Sequence, residues 1–194
     1  MSALLIGVAS FGAFALSDYI GTILRRRGGS ALFAVGGLLL IAATALLAGH
    51  SGTAALIGRL WPLRWLSLLV AAAMLVLLFY TLFFALRSAG SGYAPPVDGK
   101  LPLIDRGVYA LCRHPGVLWL GGFYLALWGA LGGFWLGAAF AAYTGLDLLY
   151  VFWQDRCVFP HSIFGYVEYR SRVPFLIPTR RSLRQSLSDF GLLK

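Results

Sequence analysis

Residues 115–154 read PGVLWLGGFYLALWGALGGFWLGAAFAAYTGLDLLYVFWQ, and Asp147 is the only charged side chain among them. A helix of this length would extend about 60 Å, twice the thickness of a hydrocarbon core, so the stretch predicts a hairpin of two crossings. We expect a short first arm, Pro115 to Trp128, and a full-length second arm, Phe134 to Gln154. Three glycines indicate the turn between them: Gly129, Gly132 and Gly133.

The rest of the chain has a similar apolar character. Hydrophobic residues make up 59% of the 194 residues, charged residues make up 12%, and the mean hydropathy is +0.79. A soluble domain carries about 25% charge, and a disordered chain needs low hydrophobicity, so both classes are excluded. We expect one integral membrane domain, in which an N-terminal part (1–65) precedes a core (66–178) and a basic tail (179–194).

Three further apolar runs precede the hairpin: Ser2 to Leu24, Ala31 to Gly49, and Trp65 to Leu86. The first is predicted to be an uncleaved span, because its basic cluster, residues 25–27, follows the apolar run instead of preceding it. The segment 53–65 is interrupted by Arg59, Pro62 and Arg64, which favours an interfacial position. The pattern predicts an all-α, polytopic membrane protein of about five membrane segments, three spans plus the hairpin, with a cytosolic C-terminal cap.

Positive charge exceeds negative charge, with 16 Lys and Arg against 7 Asp and Glu. The basic residues lie between the apolar runs, which is typical of a helical membrane protein and argues against nucleic acid as a partner. The positive-inside rule places the N-terminus outside and the C-terminus in the cytoplasm, in what we expect to be a bacterial inner membrane. Only Arg59 and Arg64 then lie outside.

Cysteine and histidine do not follow the spacing of a metal site. The two cysteines, Cys112 and Cys157, form no C-x-x-C pair, and the three histidines stand far apart. A structural zinc site needs four converging ligands, so no metal is expected. Both cysteines lie beside arginines that we place in the cytosol, where disulfides are rare.

Polar side chains collect on either side of the hairpin, in the loop 103–115 before it and in the tail 154–178 after it. Because a hairpin returns to the face that it left, we expect these two segments to be neighbours at the cytosolic boundary. Pro115 suits the first turn of a helix, which places Arg113 and His114 at the helix start. Two functions fit: both residues bind an anionic ligand, or His114 transfers protons. The structural alternative is that Arg113 extends to lipid headgroups and His114 caps the helix.

Other polar residues also leave two interpretations open. The segment 166–172 is either an interfacial helix on anionic lipid or a cap over a cofactor. Asp147, within a span, is either functional or a hydrogen-bonded contact in the helix bundle, whereas Asp18 is interpreted as structural. Gly36 and Gly37 indicate close helix packing, within one chain or between two, so the oligomeric state stays open.

The run Gly107-x-Tyr109-x-x-x-Arg113-His114-Pro115 resembles a segment of the isoprenylcysteine carboxyl methyltransferase and phospholipid N-methyltransferase superfamily. The tail 166–178, which reads YVEYRSRVPFLIP, resembles the Tyr-x-x-Tyr-x-x-x-Val-Pro-x-x-x-Pro ending of the same superfamily. The resemblance covers roughly residues 75 to 178. It implies a membrane methyltransferase core in which S-adenosyl-L-methionine binds between the two segments, and in which a lipophilic or lipid acceptor enters from the bilayer.

The resemblance also implies roles for particular residues. The expected cofactor-binding residues are Gly107, Tyr109, Arg113, His114, Pro115, Tyr166, Glu168 and Arg172. The expected catalytic residues are Gln154, Asp155, Arg156 and Asp147, the last as an acceptor contact. Gln154 and Asp155 stand where the family has paired glutamates. Two alternatives therefore stay open: a non-catalytic member that binds a lipid or a partner, and a reductase that resembles sterol reductases and uses NADPH.

Overall fold

Apolar composition produces helices throughout the described part of the chain. The structure is a computed structural model, and it describes residues 1–24, 28–51, 61–85 and 98–193. Within these ranges the regular structure is helical, no strand occurs, and one isolated parallel bridge joins Leu101 to Ile163. The prediction of an all-α protein is confirmed for the described residues.

We number the described α-helices in chain order. They are α1 (Ser2–Asp18), α2 (Gly29–His50), α3 (Trp61–Phe79), α4 (Val108–Leu111), α5 (Pro115–Leu131), α6 (Phe134–Trp153), α7 (Phe159–Ser162), α8 (Tyr166–Arg172) and α9 (Arg180–Asp189). Wider π-helical turns continue three of them: Tyr19–Ile23 after α1, Tyr80–Phe84 after α3, and Gln154–Val158 after α6. Such turns are rare in proteins and often occur at functional sites.

Among the described residues, four helical segments are long and apolar enough to cross a bilayer: Ser2–Thr22, Gly29–His50, Pro62–Phe84 and Phe134–Ser162. The helix Pro115–Leu131 is apolar but shorter. These lengths support an integral membrane protein, and the short first arm of the hairpin agrees with the sequence prediction. The cytosolic orientation depended partly on residues 25–27 and Arg87, which lie outside the described residues.

The C-terminal end of the segment 53–65, which was predicted to be interfacial, belongs to helix α3. This helix begins at Trp61, before the predicted span start at Trp65, so Pro62 and Arg64 lie within it. Proline is tolerated in the first turn of a helix, because its missing N–H would have no helical partner there. The remainder of the segment, including Arg59, lies outside the described residues.

The turn of the hairpin falls at Gly132 and Gly133, whose φ angles are +72° and +86°. Residues with side chains rarely adopt this left-handed region, which explains why glycine occupies both positions. Gly129, the third glycine in the predicted turn, belongs to helix α5 instead.

One compact unit consists of Met1–Met74 and Leu120–Trp153. In this unit α1 packs against both α2 and α6. Small residues permit the close approach: a Cβ on Gly7 would collide with the ring of Tyr143, and a Cβ on Gly36 would lie 2.6 Å from Phe14. Gly36 therefore packs within the chain, whereas Gly37 has open space beside it.

The two acidic residues of this unit occupy helical positions. The hydroxyl of Tyr150 donates a hydrogen bond of 2.6 Å to Oδ2 of Asp18, which agrees with the structural interpretation of Asp18. Asp147 lies one turn before Tyr150 on α6 and is partly exposed.

The other compact unit consists of Leu75–Trp119 and Gln154–Lys194. It contains both segments that the sequence analysis singled out. Its buried side chains include two aromatic residues of α8, Tyr166 and Tyr169, together with Cys112 and Val158.

Candidate functional site

The candidate site begins where the segment before α4 pairs with the segment before α8. The backbone N–H of Leu101 donates to the carbonyl of Ser162 (2.8 Å), and the N–H of Phe164 donates to the carbonyl of Leu101 (2.9 Å). The ammonium of Lys100 reaches the carbonyl of Pro160 at 2.9 Å. These bonds place the two polar segments side by side, as the hairpin predicted.

A second set of backbone bonds joins the Arg-His-Pro tripeptide to the tail. The N–H of Arg113 donates to the carbonyl of Pro174 (2.9 Å), and the N–H of His114 donates to the carbonyl of Phe175 (3.3 Å). Pro115 then starts α5, as expected from its missing N–H. The tail therefore fixes the backbone from which both side chains extend.

The carboxylate of Asp155 is the centre of the cluster. Nη1 of Arg113 lies 3.0 Å from its Oδ1, Nε2 of His114 lies 3.1 Å from Oδ1, and the hydroxyl of Tyr166 donates to Oδ1 at 2.6 Å. Nε of Arg170 lies 3.5 Å from Oδ2. Asp155 belongs to the π-helical turn after α6, so it is this turn that presents the carboxylate to all four groups.

Burial makes the cluster electrostatically strong. The side chains of Arg113 and Asp155 are only 9% and 4% exposed. The interpretation in which Arg113 extends to lipid headgroups is therefore wrong, because its charge is paired inside the protein. Nε of Arg113 is buried and has no hydrogen-bond partner among the described residues.

His114 lies in an aromatic enclosure. Its ring stacks on Phe159 at 5.9 Å between centroids and meets Phe175 edge-on at 4.9 Å. Burial lowers the pKa of His114, although the hydrogen bond to Asp155 partly offsets this effect. Because a carboxylate oxygen only accepts, Nε2 of the neutral ring must carry the hydrogen. Burial raises the pKa of Tyr166, and its hydrogen bond to Asp155 adds to the rise.

Two further tyrosines hold the loop of the first motif. The hydroxyl of Tyr169 donates to the carbonyl of Tyr109 (2.7 Å), and the hydroxyl of Tyr109 donates to the carbonyl of Thr81 (3.1 Å). Burial raises the pKa of Tyr109 to about 12, so its hydroxyl stays protonated and able to donate.

Gly107 caps the N-terminus of α4 with a φ of +62° and a ψ of −125°, a conformation that favours glycine. Its N–H donates to Oδ2 of Asp189 at 2.8 Å, which ties the first motif to the C-terminal helix α9. A capping box of Thr179 and Ser182 starts α9, with each side chain accepting from the other's backbone N–H.

A pocket of about 810 Å³ opens beside this tie, within the same unit. Its charged lining includes Arg106, Arg172 and Arg181, together with Asp105 and Asp189. The remaining lining comes from Tyr80, Ala85, Gly107, Val108, Ala110, Val173, Thr179, Ser182, Gln185 and Phe190. Arg172 and Asp105 lie 3.7 Å apart at exposed positions, so this pair is weak.

The predicted site residues fall into separate groups. Gly107 and Arg172 line the pocket, whereas Arg113, His114, Asp155 and Tyr166 form the buried cluster. The other predicted residues do not line the pocket: Tyr109, Pro115, Asp147, Gln154, Arg156 and Glu168. Arg156 and Glu168 are exposed.

Helix α9 lies where the sequence was interpreted only as a basic tail. Two signals in the sequence indicate it: the pair Thr179 and Ser182, whose spacing of three is typical of a helix start, and the helical spacing of Leu183, Leu187 and Phe190. Phe175, which packs against both His114 and Arg113, was also missed because a lone phenylalanine in an apolar tail carries no motif.

Comparison with protein-family models, with curated proteins and with solved structures yields no match to this chain.

Proposed function

We propose that this protein is an integral membrane methyltransferase of the isoprenylcysteine and phospholipid methyltransferase type. It would transfer a methyl group from S-adenosyl-L-methionine to a lipophilic or lipid acceptor at the cytosolic face. One observation carries the proposal: the two segments that resemble this superfamily meet through Asp155, to which Arg113, His114 and Tyr166 all converge. Both segments therefore contribute to one buried cluster, which supports a single shared site.

The pocket fits the cofactor in size and charge. Small-molecule pockets span about 300–1,000 Å³, and this one measures about 810 Å³. The cofactor carries a carboxylate, an ammonium and a sulfonium. Arg106 and Arg172 provide cations for its carboxylate, and Asp105 provides an anion for its positive groups.

Methyl transfer from this cofactor requires few reactive groups from the protein. When bound, S-adenosyl-L-methionine supplies an already activated methyl group, so the protein must align the acceptor and exclude water. Asp155 holds the loop of the first motif, the start of α5 and the start of α8 in one arrangement. Gly107 and Arg172, at the edges of this arrangement, then contact the ligand directly.

The orientation belongs to the same proposal. With the N-terminus outside and the C-terminus in the cytoplasm of a bacterial inner membrane, Lys100, Arg113 and the arginines of α8 and α9 all lie inside. Cytosolic S-adenosyl-L-methionine would then reach the pocket directly.

Calorimetric titration of purified, detergent-solubilised protein tests the proposal. S-adenosyl-L-methionine and S-adenosyl-L-homocysteine should each bind saturably, and Arg172→Gln should weaken binding by about tenfold because a charge-assisted contact is lost. Arg64→Gln removes an arginine that does not line the pocket and should leave the affinity unchanged. Absence of binding at millimolar cofactor would contradict the proposal, as would an equal loss in both variants.

One observation favours a second candidate, the non-catalytic member. Asp155 is occupied by groups of its own chain, so the cluster would also serve as a purely structural clamp. A parallel titration with NADPH tests the third alternative, a reductase. NADPH binding alone would favour a reductase, and binding of neither cofactor would favour the non-catalytic member.

A further inference from the structure

The C-terminal helix α9 (Arg180–Asp189) packs against the protein through its polar side. Ser182 and Ser186 lie one turn apart and are 6% and 5% exposed. Asp189 extends this inner side with its bond to the N–H of Gly107. The side of α9 that stays exposed is therefore not simply its polar side, as it would be in an ordinary surface helix.

An apolar stripe lies beside the buried serines. Leu183, Leu187 and Phe190 recur at the i, i+4 and i+7 spacing that places residues on one helix face. Leu183 and Phe190 are each 46% exposed, and Leu192, just after the helix, is 71% exposed. Phe190 also contacts the ring of Tyr80, with centroids 6.5 Å apart, so the stripe is anchored at its C-terminal end.

Basic residues border the stripe. Arg180 and Arg184 lie one turn apart, and each is three residues before a leucine of the stripe, so they are neighbours on the helix surface. The neighbouring Arg181 lines the pocket. All three arginines are exposed, and none forms an ion pair with another described residue. The one acidic residue of the helix, Asp189, is exposed, but it lies on the side of the buried serines and accepts from the N–H of Gly107.

We infer that α9 binds the surface of an anionic lipid bilayer. The stripe Leu183, Leu187 and Phe190 would enter the boundary between headgroups and acyl chains, while Arg180 and Arg184 contact lipid phosphates. An apolar face flanked by arginines is the pattern of an interfacial helix, and each basic residue near such a surface adds attraction. Four helical segments in the described part of the chain are apolar enough to cross a bilayer, so lipid would surround the protein.

Of this surface, Phe190 also lines the pocket, whereas Leu183, Leu187, Arg180 and Arg184 do not. Lipid bound to these four side chains would leave the rest of the pocket lining in place. A free phosphate would pair with the arginines but leave the leucines in water. An uncharged apolar partner would bury the leucines and leave the arginines unpaired. An anionic bilayer satisfies both sets of groups.

Fluorescence of a single labelled cysteine tests the inference in the full chain. Cys157 is exposed and is replaced by serine, whereas the buried Cys112 is kept. An environment-sensitive dye is attached at Leu183→Cys or, as the matched control, at Ser188→Cys. Ser188 is exposed on the same helix but outside the stripe. Each protein is reconstituted in nanodiscs of phosphatidylcholine, with or without about 30% phosphatidylglycerol.

The dye at position 183 should shift to the blue in anionic discs, and the shift should decline at about 0.5 M salt, where surface charges are screened. The dye at position 188 should stay in water. Arg180→Gln and Arg184→Gln should each reduce the anionic partition of the helix by about fivefold. Discs made with cationic lipid should abolish the shift without any change to the protein, which provides a test that does not depend on the folding of variants.

Three outcomes would overturn the inference. The first is an equal response at positions 183 and 188, and the second is a response that ignores lipid charge and salt. The third is a response that appears only in discs holding two copies of the chain, which would make a second copy the occupant of the stripe.

Discussion

Nε2 of His114 lies 3.1 Å from Oδ1 of Asp155, although 41 positions separate the two residues in the chain. The hydroxyl of Tyr166 donates to the same oxygen at 2.6 Å. One carboxylate oxygen therefore joins the loop before α5, the π-helical turn after α6 and the first residue of α8. The integrity of the candidate site therefore depends on the carboxylate of Asp155.

Asp155→Asn should lower the free energy of unfolding in detergent by about 3–5 kcal/mol, because Arg113 would keep a buried charge without its partner. Asp105→Asn is the matched control. Its pair with Arg172 is 3.7 Å long and exposed, and its loss should cost no more than about 1 kcal/mol. Thermal unfolding of the two variants gives the comparison, and equal effects would contradict the central role of Asp155.

Stability should fall as the pH falls below the ordinary pKa of histidine, 6.5. Burial lowers the pKa of His114 in the folded protein, so between the two pKa values the unfolded chain binds more protons. Acidification therefore favours unfolding. The stability that depends on the neutral ring of His114 is fully present above the ordinary pKa of histidine. Unfolding measured from pH 7.5 to 5 should show this slope.

His114→Gln should flatten that slope, because glutamine does not titrate but still donates to Asp155. His161→Gln is the control, because this exposed ring lies 3.0 Å from the carbonyl of Cys157 in its own turn. An unchanged slope in His114→Gln, or an equal change in both variants, would mean that groups other than His114 cause the pH dependence.

Gly7→Ala should destabilise the protein by about 1–3 kcal/mol, because the added Cβ collides with the ring of the buried Tyr143 and forces the helices apart. Gly12→Ala lies on the same helix, α1, with open space beside it, and should be neutral or slightly stabilising. Thermal unfolding of the pair isolates the contact. Similar melting temperatures would show that α1 and α6 are not packed closely at Gly7.

Maleimide should label Cys157 and leave Cys112 unmodified in the folded protein. Cys157 is exposed, whereas Cys112 is buried, and burial raises the pKa of its thiol to about 11, so little thiolate forms. Mass spectrometry should find a single adduct that disappears in Cys157→Ser. A second adduct should appear only after denaturation, and rapid labelling of Cys112 without denaturant would contradict its burial.

Some of this architecture follows from the sequence alone. The uncharged runs fix the helices and their lengths, since the bilayer admits few other structures for them. The 115–154 stretch predicts a hairpin, and the hairpin predicts that the segments around Arg113 and Asp155 become neighbours. Glycines in sequence also mark the turn, although sequence cannot tell that Gly129 stays in a helix while Gly132 and Gly133 take positive φ.

Other features depend on tertiary structure. The sequence offers several acids as partners for Arg113, and only the π-helical turn after α6 determines that Asp155 reaches Arg113, His114 and Tyr166 together. Helix α9 has no core-forming pattern of its own, and its position comes from Asp189 bonding Gly107 and from serines packing inward. Composition determines which segments leave water, whereas the pairing of individual polar groups depends on directions and distances of a few ångströms that only the folded chain sets.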